Sequence, residues 1–544
     1  MKSSRLLIAC MLLSGFCGIM AELSLFNLGS LLIGGTNHTL LMTMGLMMFA
    51  MGFGSWLSGR KYFQRVSWDM FAFNEMLLSL LCMLSVSSIY WIASHEMRAA
   101  GPLLMIWSLC AGTLIGLEIP LILRLNEKLG TELQENSAMV LMADYFGSLL
   151  AFTAFPFLFL PQWGLHLTAW SGGLMNLLLA LTAFIIHFHR FQYPKSVTFG
   201  ALICIGVAIG GFGSFERLKE IADARLYRDP IVLDEHSELQ SIVITQKSRQ
   251  DKSPWAGRKE RYKSLASLKT ESVAYEIRQY PDFQKTPDIR LYLNGGLQFS
   301  TIDEYRYHEM LVHPAAQLAS SREQALILGG GDGMAARELL KYPDLASIVL
   351  VDPDHTLVEL FRYSNLASLN EKALQNPKVT HVADDAFHFL LENPGPWPIM
   401  IVDFPDPHHL DTARLYSEEF YLLAHRSLAD GGCMAVQSTS PLFNRKVFGV
   451  IKKTMTRAGF EPLSLQVSMK SFEDWGFQMA CKGRTPQQIQ AGFSHFDDSS
   501  TRWLNREVLE GAWRFGKGMF HDWESLPINE VNRPILPGLY SQAM

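Results

Sequence analysis

Apolar and polar positions follow two regimes along this chain. Before residue 215 the apolar residues gather into seven runs, at roughly 6–26, 38–58, 75–94, 101–123, 139–160, 164–187 and 197–214. Each run is about 18–24 residues, the length a helix needs to cross about 30 Å of hydrocarbon. Lys2 and Arg5 precede the first run as they would in a cleaved signal. That run is long, lacks a clear small-residue cleavage site and is followed by further spans, so it reads as an uncleaved anchor.

From about residue 218 the segments become short and alternating. Leu239–Ile244 and Ile289–Leu293 read as strands, the second ending in the turn signal Asn294-Gly295-Gly296. Lys247, Arg249, Lys252, Arg258 and Lys259 between them predict a solvated loop. Asp303–Val312 has helical spacing and is closed by His313-Pro314. Next come a buried strand, Ala325–Leu328, a turn made by Gly329, Gly330, Gly331, Asp332 and Gly333, a helix starting at Met334, and a second strand, Ser347–Val351, ending at Asp352. This is a βαβ unit with glycines at its first turn and an acid at the tip of strand two, where a carboxylate can accept hydrogen bonds from ribose hydroxyls.

Composition sharpens the division. With 544 residues the chain exceeds a single core, and its 47 Lys+Arg against 52 Asp+Glu exclude a broadly basic nucleic-acid binder. Only 19 of the first 214 positions are charged, against 80 of the remaining 330. The first part is membrane material and the second has a soluble domain's composition. Lys2 and Arg5, then Arg60, Lys61 and Arg65, then Arg124 and Lys128, then Arg190 and Lys195 occupy alternate connections, which predicts a cytoplasmic N-terminus. Seven crossings would then place the soluble half outside. The seventh run is short and glycine-rich and is followed by Arg217, Lys219, Arg225 and Arg228, so a segment that is re-entrant or lies against the bundle is expected there. With that reading the chain is a multi-pass membrane protein with a cytoplasmic soluble half.

Ala21-Glu22-Leu23 resembles Leu117-Glu118-Ile119, and Phe53-Gly54-Ser55 resembles Phe146-Gly147-Ser148 at a similar distance onward. Two three-helix units in series would be inverted relative to each other. Glu22, Glu118 and Asp144 lie within or beside apolar runs, where an acid is costly and faces a partner or a cavity, although helix capping near the interface is the commoner role. The seven cysteines are scattered, with neither a disulfide framework nor zinc spacing.

Asp332 sits inside the glycine turn, where it would repel a pyrophosphate. That favours a nucleoside without phosphates that carries positive charge, such as an adenosyl sulfonium compound; capping of the next helix is a compatible role. A third strand, Pro398–Val402, ends in Asp403-Phe404-Pro405-Asp406-Pro407, and Asp385 follows Val379–Val382. Asp332, Asp352, Asp385 and Asp403 thus share the carboxyl ends of strands, where ligands bind in an open parallel sheet. Such a cleft suits cations. His408 and His409 match no metal-ligand spacing, so no metal and no resident cofactor are expected.

Six ordered motifs carry a resemblance: Leu293–Gln298, Asp303–Glu309, His313-Pro314, Gly329–Gly333, Asp403–Pro407 and Leu415–Tyr421. Over roughly residues 230–485 the chain resembles spermidine synthases, in the bacterial subgroup with an N-terminal multispan region. The resemblance implies transfer of an aminopropyl group from decarboxylated S-adenosylmethionine, a co-substrate, to putrescine or a similar amine, giving spermidine and methylthioadenosine. It implies Asp403 as the base, Asp332 and His308 beside the aminopropyl chain, and Gln240, Asp352 and Asp385 (or its neighbour Asp384) around the nucleoside. Tyr307, Gln298 and Asp406 would line the amine pocket. Acid walls also disfavour ordinary S-adenosylmethionine, whose carboxylate would face Asp332. Departures from the usual pattern are Asp352 for Glu, Asp384-Asp385-Ala386 for Asp-Gly, Phe404 for Ser or Thr, and a missing tyrosine in 471–477.

The expected fold is an α-helical membrane bundle followed by an α/β, Rossmann-like domain of methyltransferase type with a small N-terminal β region. The segments are 1–214, 215–315, 316–484 and a helical tail, 485–544, to which no chemistry is assigned. Expected partners are the small amine, the lipid bilayer and further copies of the chain as a homodimer or tetramer, with no nucleic acid. A membrane transporter or sensor with a non-catalytic binding domain is the rival reading.

Overall fold

The computed structural model describes residues 2–33, 37–60, 67–128, 133–227, 229–237, 239–247 and 288–543. Lys61, Arg65 and the expected basic loop from Arg249 to Lys259 lie outside the described residues. The chain divides into two units, Met1–Arg228 and Asp229–Met544.

The first unit contains α1 (Lys2–Ile33), α2 (Asn37–Ser58), α3 (Trp68–Ala93), α4 (Ala100–Glu127), α5 (Leu133–Ala154), α6 (Leu160–Ile186) and α7 (Pro194–Leu226). Seven of its helices are long and apolar enough to cross a membrane. A helix satisfies its own backbone polar groups, the condition for standing in hydrocarbon. The apolar surface continues on the outside of the unit, where Phe49, Phe157, Ile185 and Ile209 are all more than two-thirds exposed. The seventh run departs from expectation: α7 is one unbroken helix of 33 residues, not a re-entrant segment, because its glycines interrupt no backbone hydrogen bond and its apolar stretch spans Pro194–Gly213.

The principal helix contacts pair α1 with α5, α2 with α4, and α3 with α6; α1 also meets α6, and α3 meets α4. Exchanging α1–α3 for α4–α6 maps this set onto itself, the pairing that two three-helix units in series would give. Equivalent glycines make the equivalent pairs close. A Cβ on Gly54 of α2 would lie 2.1 Å from the Thr113 carbonyl of α4, and one on Gly147 of α5 would lie 1.9 Å from that of Leu12 of α1. Backbone approach of this kind is how small residues join membrane helices.

The second unit opens with an antiparallel sheet in the order β1 (Ile231–His236), β2 (Ser241–Gln246), β3 (Ile289–Leu293), β4 (Gly296–Ser300). Helix α8 (Glu304–Leu318) follows and runs through His313 and Pro314, where the sequence predicted a stop. The main sheet contains β5 (Gln324–Gly329), β6 (Ser347–Val351), β7 (Val379–Val382), β8 (Trp397–Asp403), β9 (Leu428–Gln437), β10 (Leu463–Met469) and β11 (Glu473–Cys481) in the order β10-β11-β9-β8-β5-β6-β7. Strands β7, β6, β5, β8 and β9 are parallel, and β11 and β10 add antiparallel to the edge. Alternate residues of β5 enter opposite cores, Ala325 and Ile327 one, Leu326 and Leu328 the other. Burial on both faces is why such strands read as continuous apolar runs.

The first core is covered by α8, α9 (Met334–Leu339) and α10 (His355–Tyr363). The second is covered by α11 (Ala386–Glu392), α12 (Glu418–Ser427), α13 (Arg445–Arg457) and the terminal α14 (Leu536–Ala543). Cys433 on β9 faces Cys481 on β11, and the two form a disulfide. Scattered spacing hid this pair, because antiparallel register brings together residues 48 apart.

Candidate active site

Strands β6 and β8 lie on either side of β5, so the order reverses between β5 and β8 and a crevice forms at their carboxyl ends. Gly329 ends β5 directly beside Asp403 at the end of β8. Gly329 has φ +83°, and a Cβ there would lie 2.3 Å from the Asp403 carbonyl, so the turn needs glycine at this position. The Gly330 N–H donates to that carbonyl at 3.2 Å. The Gly331 N–H donates to Asp352 Oδ2 at 2.9 Å, and the Asp354 N–H donates to Asp352 Oδ1 at 2.9 Å. Asp332 Oδ1 accepts the Met334 N–H at 2.9 Å at the start of α9.

Helix α8 brings a second group of side chains to this crevice. Tyr307 donates its hydroxyl to Asp403 Oδ1 at 2.6 Å, and His308 Nε2 lies 4.0 Å from Asp403 Oδ2. His308 Nδ1 is held by Glu304 Oε2 at 2.8 Å and by the Glu304 carbonyl at 2.9 Å. Arg337 from α9 donates to both Glu304 oxygens, at 3.0 and 2.9 Å, and to Glu338 at 2.9 Å. The seven residues from Asp303 to Glu309 therefore form one hub. Asp303 accepts the backbone N–H and hydroxyl of Ser471, and Glu309 accepts the N–H groups of Arg502, Trp503 and Leu504.

The electrostatics follow from burial and these partners. Burial raises the Asp403 carboxyl above its ordinary value, opposed by the His308 charge and the Tyr307 hydrogen bond. Asp332 is pushed up to about 6, by burial and the Asp403 charge against the opposing His308 charge. Asp352 rises to about 7, chiefly through burial, with its backbone donors opposing. Burial alone would lower His308, but its bond to Glu304 and the charges of Glu304, Asp332 and Asp403 outweigh burial and raise it to about 9. Glu304 is held down at about 2 because the neighbouring Arg337 and His308 overcome the effect of burial. His308 is thus pushed toward its protonated form among carboxyls that burial pushes up.

A second acid completes the site on the β8–β9 side. Asp406 Oδ1 accepts Gln437 Nε2 at 3.2 Å, and Asp406 Oδ2 accepts the Thr439 hydroxyl at 3.1 Å and the Tyr540 hydroxyl. Tyr540 also shares a hydrogen bond with Thr439 and packs its ring 4.1 Å from that of His408. The terminal helix, to which the sequence reading assigns no chemistry, therefore reaches Asp406. Sequence spacing contains no signal for it, because Tyr540 is 134 positions from Asp406. Phe404 packs on Tyr416 and Phe420, and the Tyr416 hydroxyl donates to the Pro405 carbonyl at 3.2 Å.

The other predicted residues take distinct places. Gln240 Nε2 donates to Asp354 Oδ2 at 2.6 Å, two residues beyond Asp352. Asp384 is held by His388 Nδ1 at 2.9 Å, while Asp385 caps α11 and receives both Arg414 nitrogens, at 3.1 and 2.5 Å. Of the adjacent acids, Asp385 is the more fully engaged by protein partners. Gln298 donates only within its own hairpin, to the Gly296 carbonyl at 3.2 Å, and makes no described contact with Asp403 or Asp406. Glu304, Arg337, Gln437, Thr439 and Arg414 were not foreseen; Glu304 alone lay within a quoted motif.

Residues 304–489 match the family described as spermine/spermidine synthase domain. A polyamine aminopropyltransferase of Leptospira interrogans is 33% identical over 518 residues, covering 95% of this chain and 93% of that protein. Polyamine aminopropyltransferase 1 of Streptomyces coelicolor is 34% identical, covering 94% and 89%. Polyamine aminopropyltransferase 2 of Aquifex aeolicus is 32% identical, covering 98% of each. These alignments run through the apolar unit as well as the α/β unit. Among solved structures, spermidine synthase from Thermotoga maritima aligns over 54% of this chain and 88% of its own, at 19% identity and a TM-score of 0.43.

Proposed function

This chain belongs to the polyamine aminopropyltransferase family, and from that premise we propose how its own residues perform the transfer. The donor is decarboxylated S-adenosylmethionine and the acceptor a primary diamine, putrescine first among them; the products are spermidine and methylthioadenosine. The rival reading of a non-catalytic transporter or sensor is set aside, because the relatives are transferases over nearly the whole chain.

The neutral acceptor nitrogen attacks the methylene carbon bonded to the sulfonium. A C–N bond forms, the C–S bond breaks, and its electron pair leaves on sulfur as a neutral thioether, so the leaving group needs no acid. Asp403 accepts the proton that the acceptor ammonium loses before attack, and the product nitrogen keeps its remaining protons as a secondary ammonium. An alkylammonium has a free pKa near ~10.4, so the acceptor must lose a proton before attack, and a positioned carboxylate supports that loss. Tyr307 orients Asp403 through its 2.6 Å hydrogen bond, and His308 holds counter-charge 4.0 Å away. Asp332 faces the aminopropyl chain, and Asp352 with Gln240 and the Asp384–Asp385 pair borders the nucleoside. Asp406 holds the far end of the acceptor, with Tyr540 and Thr439 fixing its carboxylate.

One observation carries the assignment: a buried carboxyl at the sheet's switch point, hydrogen-bonded by a tyrosine and faced by a histidine 4.0 Å away. The test is methylthioadenosine release from the donor and a panel of amines, in wild type and Asp403→Asn. Absence of release with every amine in the panel overturns the reading. Release equal in the variant overturns Asp403 as the base.

The seven apolar helices support a multi-pass location in the bacterial inner membrane. Two sets of observations oppose each other on the side taken by the catalytic unit. Basic residues at the N-terminus, an odd number of spans and the Cys433–Cys481 bond point outward. Charged substrates that do not cross bilayers, and the basic flank Arg217, Lys219 and Arg225, point to the cytoplasm. The substrates are the stronger constraint, and we place the unit in the cytoplasm. Protease cleavage of this unit in right-side-out but not inside-out vesicles would overturn that placement. Functionally, we assign the reaction crevice to 316–484 and closure of the acceptor pocket to 485–544; the segment 215–315 begins within α7 and then supplies the small sheet β1–β4.

A further inference from the structure

Behind Asp403, Tyr307 and His308 stands a buried ion-pair network that the transfer step leaves without a role. Arg337 on α9 is its centre. The guanidinium donates to both Glu304 oxygens, at 3.0 and 2.9 Å, to Glu338 Oε1 at 2.9 Å and to the Leu369 carbonyl at 2.9 Å. Glu338 Oε2 receives Lys341 Nζ at 2.6 Å and lies 2.9 Å from His313 Nε2, whose other ring nitrogen meets the Tyr342 hydroxyl at 2.6 Å. Glu304, His308, His313, Arg337 and Glu338 are all buried. Arg337 makes no described contact with Asp403, so whatever it does there passes through Glu304 and His308.

The geometry fixes how His308 is held. Its Nδ1 faces two acceptors, the Glu304 carboxylate at 2.8 Å and the Glu304 carbonyl at 2.9 Å, so that nitrogen carries a proton. Nε2 is left to face Asp403 Oδ2 at 4.0 Å. The charged and titratable groups around the ring are Glu304 and Tyr307 on its own helix, Asp332 from the glycine turn and Asp403 from β8. A buried carboxylate stays ionised only where a cation meets it. Glu304 has Arg337 on both oxygens, in the fork geometry that a guanidinium supplies. Without that cation the Nδ1 proton would pass to Glu304, and a neutral imidazole would face Asp403. Asp403 would then lose the charge that opposes the effect of its burial.

We propose that Arg337 is a positioning residue for aminopropyl transfer: by keeping Glu304 ionised it holds a charged, oriented His308 against Asp403, so that Asp403 is free to accept the acceptor's proton at neutral pH. Charges then alternate from the far side of α9 to the reaction crevice, through Lys341, Glu338, Arg337, Glu304, His308 and Asp403. The proposal deepens the reading of Asp403 as the base and rests on it.

The test follows methylthioadenosine release by the full chain in lipid nanodiscs, as kcat/KM for the donor against pH, which reports the groups of the free enzyme. In Arg337→Met the acid limb is expected to move up by about one pH unit, so that release at neutral pH falls about tenfold and recovers as pH rises. Arg337→Lys keeps a cation beside Glu304 but loses the fork; Tm is expected to fall while the limb stays within about 0.3 unit of wild type. Arg337→Met may be too unstable to assay, since it leaves Glu304 unpaired. Arg337→Met combined with Glu304→Gln removes both charges, and is expected to regain stability yet keep the displaced limb. A purely structural role predicts the reverse, a limb restored along with Tm. A limb at the wild-type position in the double variant, or one displaced as far in Arg337→Lys as in the double variant, overturns the proposal. Failure of the underlying reading shows itself separately, as release from Asp403→Asn equal to wild type at every pH.

Discussion

Tyr540 tests whether the terminal helix belongs to the acceptor pocket. Its hydroxyl is one of three side-chain donors to Asp406, with Thr439 at 3.1 Å and Gln437 at 3.2 Å. A hydrogen bond to a charged group is worth ~1.5–3 kcal/mol, and the two surviving donors retain part of the carboxylate's orientation. Tyr540→Phe should therefore cost about 1.4 kcal/mol of acceptor binding, which is about tenfold in KM for putrescine. The KM for the donor nucleoside and kcat should stay within about twofold, since Tyr307, His308 and Asp403 are untouched. Tyr540→Ala removes the ring that packs 4.1 Å from His408 and opens this end of the pocket. That variant should gain activity with triamines relative to putrescine. Steady-state kinetics with the two substrates varied separately gives both readouts. An unchanged putrescine KM in Tyr540→Phe, or an equal rise in both KM values, would refute the placement of Tyr540 at the acceptor end.

Other consequences follow from the same network. Asp403→Asn should lower the rate of methylthioadenosine release by ~10²–10⁴ while leaving donor binding intact, as checked by calorimetric titration. Glu304→Gln removes the carboxylate that pairs with buried Arg337 and anchors His308; a cost of ~3 kcal/mol should lower Tm by about 6 °C in a thermal-shift assay. Because Asp332 and Asp352 are raised to about 6 and 7, their protonation should weaken binding of the cationic donor as pH falls through 7 to 6, seen as a rising donor KM. His308 is raised to about 9, so its contribution to stability is complete below its unfolded value and is lost as pH rises through 9; thermal unfolding across pH 7–10 reads that loss.

Local chemistry was legible in the sequence where one segment supplies a whole feature. The apolar runs gave the membrane helices, since their length is set by hydrocarbon thickness and needs no tertiary information. Gly329–Gly333 and Asp352 were legible because a βαβ unit fixes their separation along the chain. The seventh run leaves two readings, re-entrant or lying against the bundle, and its helix is unbroken and packs on α3; in hydrocarbon a backbone has no water to bond, so the helix continues through its glycines. The pairing of Glu304 with Arg337 needed the packing of α8 on α9, which no spacing rule encodes.

The acceptor pocket shows most clearly why a tail resists such reading. Asp406 is specified by its place after β8, yet its donors come from the end of β9 and from the final helix. Leu536, fully buried in the second core, seats that helix by apolar contact alone, and Tyr540 reaches the acid because it lies one helical turn further on. The residues that seat the helix and the residue that does its chemistry are therefore coupled. A substitution of Leu536 by Ala should withdraw Tyr540 from Asp406 and imitate Tyr540→Phe in the putrescine KM, in addition to destabilising the fold by ~2–5 kcal/mol. Loss of stability without the KM change would show that Tyr540 is held by its own hydrogen bonds rather than by its helix.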